Sequence, residues 1–276
     1  MGATKDSAIF YEDFEFGLGG WQTEELPVNV LTWEDRSWEA VGSLPNQRPG
    51  SAAFGVDPIN GDCVADIESG VMRMESPPIT IPSQVVGEIR LAFDHYVSTE
   101  SRWDGGNIKY NIDGGSWKLL PENSFMINGY SDLLHPSIIG SDNPLAGEYA
   151  FTGSDEGSVS GSWGTSVVDL SNLVMPEQVL RLRWEMGTDG CNGRIGWYVD
   201  DVRIYSCQPC SSQLLLAAAR SSQEILFEAA DQIITVDTVL GLSRIHYSAG
   251  NTIEFSTGFS LDSGAVLEAI IDGCDE

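Results

Sequence analysis

Two stretches of the chain alternate between apolar and polar side chains with a period of two. Over 179–186, Leu180, Leu182, Trp184 and Met186 fall on one side, and Arg181, Arg183 and Glu185 on the other. Over 107–113, Ile108, Tyr110 and Ile112 alternate with Asn107, Lys109 and Asn111. Successive side chains of a strand point to opposite faces, so this pattern gives one buried face only if the backbone is extended. A wet face opposite a dry one is the signature of antiparallel rather than parallel sheets. Asp113-Gly114-Gly115 turns the second stretch into Trp117-Lys118-Leu119-Leu120 and reads as a hairpin. Ile89, Leu91 and Phe93 mark another strand, and 194–205 a further one. With 30 glycines in 276 residues and little helical periodicity, the first two hundred residues read as an antiparallel sandwich. Residues 121–164, rich in Pro, Ser, Asn and Gly, read as a long loop segment, either functional or inserted.

The tail has a different period. ILFEAADQI (225–233), IHYSAGNTI (245–253) and AVLEAI (265–270) superpose at a spacing of 20 residues. That spacing puts Phe227, Tyr247 and Leu267 in one column, Ala229, Ala249 and Ala269 in another, and matches Ile233 with Ile253. A strand-and-turn unit repeated at this length predicts a small β-solenoid whose coils stack apolar edges on one another. The chain is therefore expected to be all-β in two parts, a sandwich over 1–207 and a β-solenoid-like repeat domain over 208–276. The stretch 211–223 between them fits a short helix or a strand equally well.

Composition excludes several functions. Fourteen Lys+Arg against 41 Asp+Glu give a net charge of −27, which opposes nucleic acid, whose phosphates call for basic side chains. It suits divalent cations instead. No apolar run approaches the roughly 18 residues of a membrane span. Five cysteines and few lysines point to an oxidising, extracellular setting with two structural disulfides. Cys207-Gln208-Pro209-Cys210 lacks the second pair that a zinc site needs. The segment Met1–Asp6 has no apolar core of a signal peptide, and the sequence is expected to be a piece of a longer secreted chain.

No catalytic motif stands out. The three histidines, His95, His135 and His246, are in no metallopeptidase spacing, and no nucleophile elbow, P-loop or dinucleotide fingerprint is present. The acids to weigh are those on apolar faces. Glu12 shares a face with Phe10, Phe14 and Phe16, and Asp200 with Tyr198, Val202 and Ile204. A buried carboxylate needs a charge partner, hydrogen bonds or a metal. If the first and last strands of the sandwich are neighbours, Glu12 and Asp200 meet and Ca²⁺ would satisfy both. Backbone N–H groups or an arginine at a strand end would do so equally.

FYEDFEFGLGGW at the start, ESPPITIP at 75–82, LAFDHYVSTESRWDGGNIKYNIDGGSW at 91–117 and GTDGCNGRIGWYVDDVRIYSC at 187–207 together resemble the MAM-like jelly-roll domains of secreted bacterial metallopeptidases of the immune-inhibitor and fungalysin-like kinds. The adhesin domains of gingipain-type proteases are more distant relatives. AGNTIEFSTGFSLDSGAVLEAII (249–271) resembles stacked-strand modules near the C-termini of secreted bacterial proteins. The resemblance implies a non-catalytic, calcium-stabilised jelly roll beside the catalytic domain of a parent secreted hydrolase, binding an extracellular protein or polysaccharide. Carried over, the calcium ligands are Glu12 or Asp13, Asp62 or Asp66, and Asp200 or Asp201. The resemblance also implies a Cys63–Cys191 bridge beside the metal, with Cys274 closing the tail onto Cys210 or Cys207. Among jelly-roll modules, loop tryptophans often stack on sugars, which makes Trp33, Trp38, Trp103 and Trp163 candidates, with Asp104 beside Trp103. Each fits a lid on the core as well, and Asp104 a turn cap.

Overall fold

The computed structural model describes residues 4–31, 33–34, 36–58, 68–85, 87–155, 158–209, 211–221 and 224–271. Two compact units emerge, one formed by Ala8–Val85 with Ile89–Tyr205, the other by Met1–Ser7, Val86–Glu88 and Ser206–Glu276. Along the chain the first fifteen strands are β1 (Thr4–Glu12), β2 (Gln22–Pro27), β3 (Glu39–Val41), β4 (Ala52–Val56), β5 (Ser69–Glu75), β6 (Ile79–Thr80), β7 (Glu88–Ser98), β8 (Gly105–Ile112), β9 (Lys118–Leu119), β10 (Phe125–Ile127), β11 (Asp132–Leu133), β12 (Tyr149–Ala150), β13 (Trp163–Asp169), β14 (Val179–Asp189) and β15 (Gly196–Pro209). They form a seven-stranded sheet, β10-β13-β7-β15-β4-β3 with β1 also on β15, a six-stranded sheet, β2-β5-β14-β8-β9 with β6 also on β14, and a two-stranded sheet, β11-β12.

The period-2 strands do what their pattern requires. Leu180, Leu182, Trp184 and Met186 of β14 are buried, as is Ile108 of β8, and the two strands pair antiparallel with Trp184 opposite Ile108. One core draws on both sheets, joining Leu91, Phe93, Trp197 and Val199 to Met72, Met74, Leu182 and Trp184. Phe93 meets Trp184 edge-on at 5.8 Å between ring centres. Burying each such large apolar side chain stabilises the sandwich by roughly 1.5–3 kcal/mol. The hairpin between β8 and β9 turns on Asp113 at φ 52° and Gly114 at φ 74°. Two consecutive positive φ values give the hairpin turn whose twist matches that of the strands. The segment 121–164 is more ordered than its composition suggests: Tyr130 and Phe151 join the main core, while Leu134, Leu145 and Ala150 pack on Val71.

Of two face assignments made from the sequence, one holds in part and one is overturned. Strand β1 ends at Glu12 and Phe14 turns back at φ 53°, so Phe14 is buried while Phe16 is 98% exposed. Phe16 therefore leaves the face, whereas Phe10 packs on the core and Glu12 bonds the core Trp21. In β15, Asp201 has φ 48°, and this bulge shifts the alternation by one residue. Before it, odd-numbered Trp197 and Val199 enter the core; after it, even-numbered Val202 and Ile204 do. Tyr198 and Asp200 lie on the opposite face, where Tyr198 clusters with Ala52 and Tyr96. A bulge is a local insertion that period-2 counting does not see.

The second unit is built from β16 (Gln213–Leu216), β17 (Ala219–Arg220), β18 (Glu224–Ala229), β19 (Gln232–Thr235), β20 (Thr238–Val239), β21 (Arg244–Ala249), β22 (Thr252–Phe255), β23 (Ser260–Leu261) and β24 (Val266–Ile270). They make three parallel three-stranded sheets, β16-β19-β22, β17-β20-β23 and β18-β21-β24. The segment 211–223 thus contains strands where it is described, not a helix. Phe227 pairs with Tyr247 and Ala229 with Ala249, as the spacing of 20 predicts, but the last coil departs from it. Leu267 lies beside Ile245, and Ala269 beside Tyr247. The cause is an insertion of two residues: Thr235 still pairs with Phe255, whereas Thr238 pairs with Ser260, with Gly258 at φ 111° between them. Ala229, Ile233, Val239, Ile245, Tyr247 and Ala249 form the core of this unit.

Candidate functional site

The wet face of the six-stranded sheet concentrates polar groups that the alternation of β14 and β8 had marked as solvent-facing. Register places Glu75, Arg183 and Lys109 in one cross-strand row, and Glu24, Arg73, Glu185 and Asn107 in the next. Opposite charges directly across a sheet stabilise the pairing, and here they also fix side-chain directions. Glu185 is fully buried beneath three cations, with Arg73 Nε at 2.9 Å, Lys109 Nζ at 2.8 Å and an Arg183 Nη at 2.6 Å. Burial, with the Arg73 charge adding, lowers the pKa of Arg183. Lys109 also reaches Glu148 at 3.1 Å, and Asn107 Nδ2 donates to Glu148 at 2.8 Å.

At one end of this face the ladder opens into a groove of about 550 Å³ lined by Glu75, Pro78, Asn111, Asp113, Gly114, Trp117, Val179 and Arg181. Trp117 stands there because the hairpin turn delivers it, and the guanidinium of Arg183 packs on its ring at 4.3 Å. Arg181 donates to Glu75 at 2.7 Å. Asp113 accepts from the Val179 backbone at 2.8 Å and from Gln178 at 3.0 Å, which anchors the turn to β14. Asn111 donates to the Gly115 carbonyl, and its own side-chain oxygen has no hydrogen-bond partner. An aromatic ring, a held carboxylate, a held guanidinium and a side-chain amide thus line one concavity, the ordinary make-up of a small-ligand site.

The residues singled out from the sequence lie elsewhere. Glu12 is satisfied locally, accepting from Phe14 N at 3.0 Å and Trp21 Nε1 at 3.1 Å, and Asp13 accepts from Glu15 N at 3.2 Å. Asp200, Asp201 and Asp94 surround Arg48 at 2.8–2.9 Å, and Tyr11 donates to Asp201 at 2.6 Å. Burial pushes Asp200 up to about 6. The Arg48 guanidinium occupies the space between Asp94, Asp200 and Asp201, while Glu12 and Asp13 are bonded by N–H groups of their own loop and of Trp21. Asp62, Asp66, Cys63, Cys210 and Cys274 lie outside the described residues. Cys191 is disulfide-bonded and Cys207 is buried.

Trp38 is 2% exposed, donates to the Met72 carbonyl at 3.1 Å and packs on Trp197, so no ligand reaches it. Trp33 lies against the core, with its indole on Glu25 at 2.9 Å. The ring of Trp163 is covered by Arg48 at 4.4 Å. Trp103 is half-buried edge-on to His135, and Asp104 is 1% exposed. The other two histidines are engaged as well, His95 in the core and His246 with Glu268 at 2.7 Å. Sequence reasoning missed the groove because Glu75 sits on a strand that lacks a clean alternation, and only register brings it to Arg181 and Trp117. The usable signal was the tryptophan placed just beyond a hairpin turn.

No protein-family model and no curated protein matches the chain. Among solved structures, a cleaved adhesin domain of Lys-gingipain from Porphyromonas gingivalis aligns with a TM-score of 0.43 at 15% identity, covering 73% of this chain and 99% of that one. A second adhesin domain of the same protein gives 0.42 at 13% identity, over 71% and 97%. A carbohydrate-binding module of Caldicellulosiruptor saccharolyticus, solved with mannohexaose, gives 0.35 at 13% identity, over 74% and 97%. Among the described residues, no helix is long and apolar enough to cross a membrane.

Proposed function

We propose that this chain is a non-catalytic binding module of a larger secreted hydrolase, and that its ligand is a polysaccharide held in the Trp117 groove. The observation that carries the reading is the convergence of Trp117, Arg181, Glu75 and Asn111 on one wet sheet face. Sugars offer apolar C–H faces and paired hydroxyls, and these match an aromatic ring flanked by planar polar groups that are already held in place. The ion-pair ladder fixes Arg181 and Glu75 before ligand arrives, which lowers the ordering cost of binding. The metallopeptidase character of the parent rests on the resemblance of the opening and closing segments, as do the jelly-roll description of the sandwich and the Cys63–Cys191 bridge. The parallel three-sheet unit is read as a short β-solenoid.

Affinity electrophoresis through gels containing neutral and acidic polysaccharides tests the reading. Retardation by at least one polymer that is lost in Trp117→Ala and weakened in Arg181→Ala, but kept in Trp103→Ala, supports it. Absence of retardation by any polymer, alongside capture on an extracellular matrix protein, would make the chain a protein-binding adhesion module instead.

A further inference from the structure

The pairing of charges at the Trp117 groove limits what can bind there. Its lining carries two carboxylates, Glu75 and Asp113, against one guanidinium, Arg181, so the ionised groups leave it negative. Arg181 donates to Glu75 at 2.7 Å, and the pair is partly open to solvent, Arg181 being 35% and Glu75 21% exposed. Asp113 accepts from two neutral donors, the Val179 N–H and the Gln178 amide, which orient the carboxylate without cancelling its charge. The guanidinium on the Trp117 ring is that of Arg183, and it is already paired with the buried Glu185 at 2.6 Å.

The neighbouring rows follow the same rule. Arg73 faces Glu24 and Glu185, at 3.0 and 2.9 Å, and Lys109 faces Glu148 and Glu185, at 3.1 and 2.8 Å. Each of Arg73, Lys109, Arg181 and Arg183 therefore meets a carboxylate of the chain itself. What the groove keeps for a ligand is hydrogen bonding rather than positive charge. Glu75 and Asp113 can only accept, while the five N–H groups of Arg181 exceed what one bond to Glu75 uses. A hydroxyl donates and accepts, so it satisfies both kinds of group. A carboxylate or sulfate ester only accepts, and it would have to share Arg181 with Glu75 while standing near two like charges. Repulsion of this kind is how a site rejects a near relative of its ligand.

On the reading that the groove is the binding site, we propose that its ligand is a neutral, hydroxyl-rich polysaccharide, and that Glu75 is the residue that excludes acidic ones. Glu75 acts by its own charge and by holding Arg181. A cationic sugar is disfavoured in turn by two guanidiniums, Arg181 in the lining and Arg183 on the indole. The −27 of the chain also repels polyanions at long range. That contribution is screened beyond about 10 Å at 0.1 M salt, whereas Glu75 acts at contact.

Affinity electrophoresis with polymers paired by backbone tests this. Hydroxyethyl cellulose is run against carboxymethyl cellulose, and methyl-esterified pectin against polygalacturonate, with galactomannan as a further neutral polymer, each at low and high salt. Wild type should be retarded by a neutral polymer and not by the acidic ones at either salt. Glu75→Gln keeps the side-chain shape but frees Arg181. It should lose neutral retardation and gain at least about fivefold in affinity for an acidic polymer, the scale of one exposed charge pair. The gain should vanish at high salt and in the double variant Glu75→Gln with Arg181→Gln. A merely structural role of Glu75 would weaken every polymer alike. Should thermal melting show Glu75→Gln unfolded, Asp113→Asn, which keeps the oxygen that accepts from Val179, should shift the preference in the same direction. Retardation of wild type by an acidic polymer as strong as by its neutral partner, abolished in Trp117→Ala, would overturn the neutral assignment and leave the groove standing. No gain for acidic polymers in a folded Glu75→Gln would overturn the role of Glu75. Retardation by no polymer at all would overturn the groove itself, and this assignment with it.

Discussion

The indole N–H of Trp197 donates to Nδ1 of His95 at 3.1 Å in the interior of the sandwich. That bond fixes the tautomer: Nδ1 is the acceptor, so Nε2 carries the proton and faces Ser166 Oγ at 2.9 Å, whose hydroxyl goes on to the Asn128 carbonyl at 2.6 Å. The imidazole is thereby a neutral strut within the seven-stranded sheet, linking β7 to its neighbours β13 and β15.

Acid should unfold the protein through this residue. Burial lowers His95 from 6.5 to about 3, against a smaller opposing effect of Asp94. The unfolded chain therefore takes up a proton near pH 6.5 that the folded chain refuses until near pH 3. Stability from this group is intact above pH 7 and is lost as pH falls through that window, by on the order of 4 kcal/mol at its lower end. His95→Asn should be less stable than wild type at pH 7.5, and the gap should narrow at pH 4.5 in urea unfolding. A gap that stays constant with pH would show that His95 titrates normally.

Tryptophans that look alike in sequence should separate sharply on substitution. Trp38→Ala removes a ring wedged against Trp197 and should cost about 3–5 kcal/mol. Trp103→Ala removes a half-buried ring that rests on His135 and should cost about 1 kcal/mol, as a single aromatic pair does. Denaturant midpoints measure both. A loss of ligand binding in Trp38→Ala is then a folding defect, visible in the same titration.

Much of this architecture was legible in the chain, and the failures have a common form. Leu180 to Met186 and Ile108 to Ile112 declare their buried faces because each strand is regular and its alternation local. The repeat of Phe227 and Tyr247 is legible for the same reason. Local irregularities broke the reading elsewhere: the bulge at Asp201 separated the face of Asp200 from that of Val202, the turn at Phe14 sent Phe16 into solvent, and the two residues added around Gly258 moved Leu267 out of its column. The candidate site lies across strands far apart in sequence. Arg181 meets Glu75 over a separation of 106 residues. No local pattern encodes such a meeting.

Two glycines of β8 and its hairpin should respond to alanine with very different costs. Gly114, at φ 74°, has no atom within 4 Å of an added Cβ, so Gly114→Ala carries only the left-handed backbone penalty of about 1 kcal/mol. Gly106 lies under the indole of Trp197, 2.3 Å from the added Cβ, with the Glu185 carbonyl at 2.7 Å. Gly106→Ala must displace a buried ring and a neighbouring strand, and should cost about 3 kcal/mol or prevent folding, the upper range of overpacking. Comparable melting temperatures for the two variants would contradict the packing of Trp197 on β8.

The parallel unit holds one buried polar knot, and its removal should be costly in a way that a second substitution repairs. Asp237 is fully buried and accepts from Ala218 N at 2.6 Å, from Arg220 at 3.1 Å and from Tyr247 Oη at 3.0 Å. Burial raises its pKa, but the bonds from Arg220, Ala218 and Tyr247 outweigh it and hold the carboxyl below its ordinary value. Its contribution is therefore present at neutral pH and is lost only in acid, as pH falls through that lowered value. The Arg220 guanidinium in turn lies over Phe227 at 4.7 Å, and Phe227 stacks on Tyr247 at 5.7 Å. Asp237→Asn leaves Arg220, only 22% exposed, without its counter-charge and should cost about 2 kcal/mol, below the full figure for a wholly buried pair. Amide exchange over 232–249 should rise accordingly. Adding Arg220→Met removes the stranded charge and keeps an apolar stem on Phe227, so the double variant should recover at least half of the loss. A double variant no better than Asp237→Asn alone would mean that the hydrogen bond from Tyr247, not the charge of Arg220, is what Asp237 supplies.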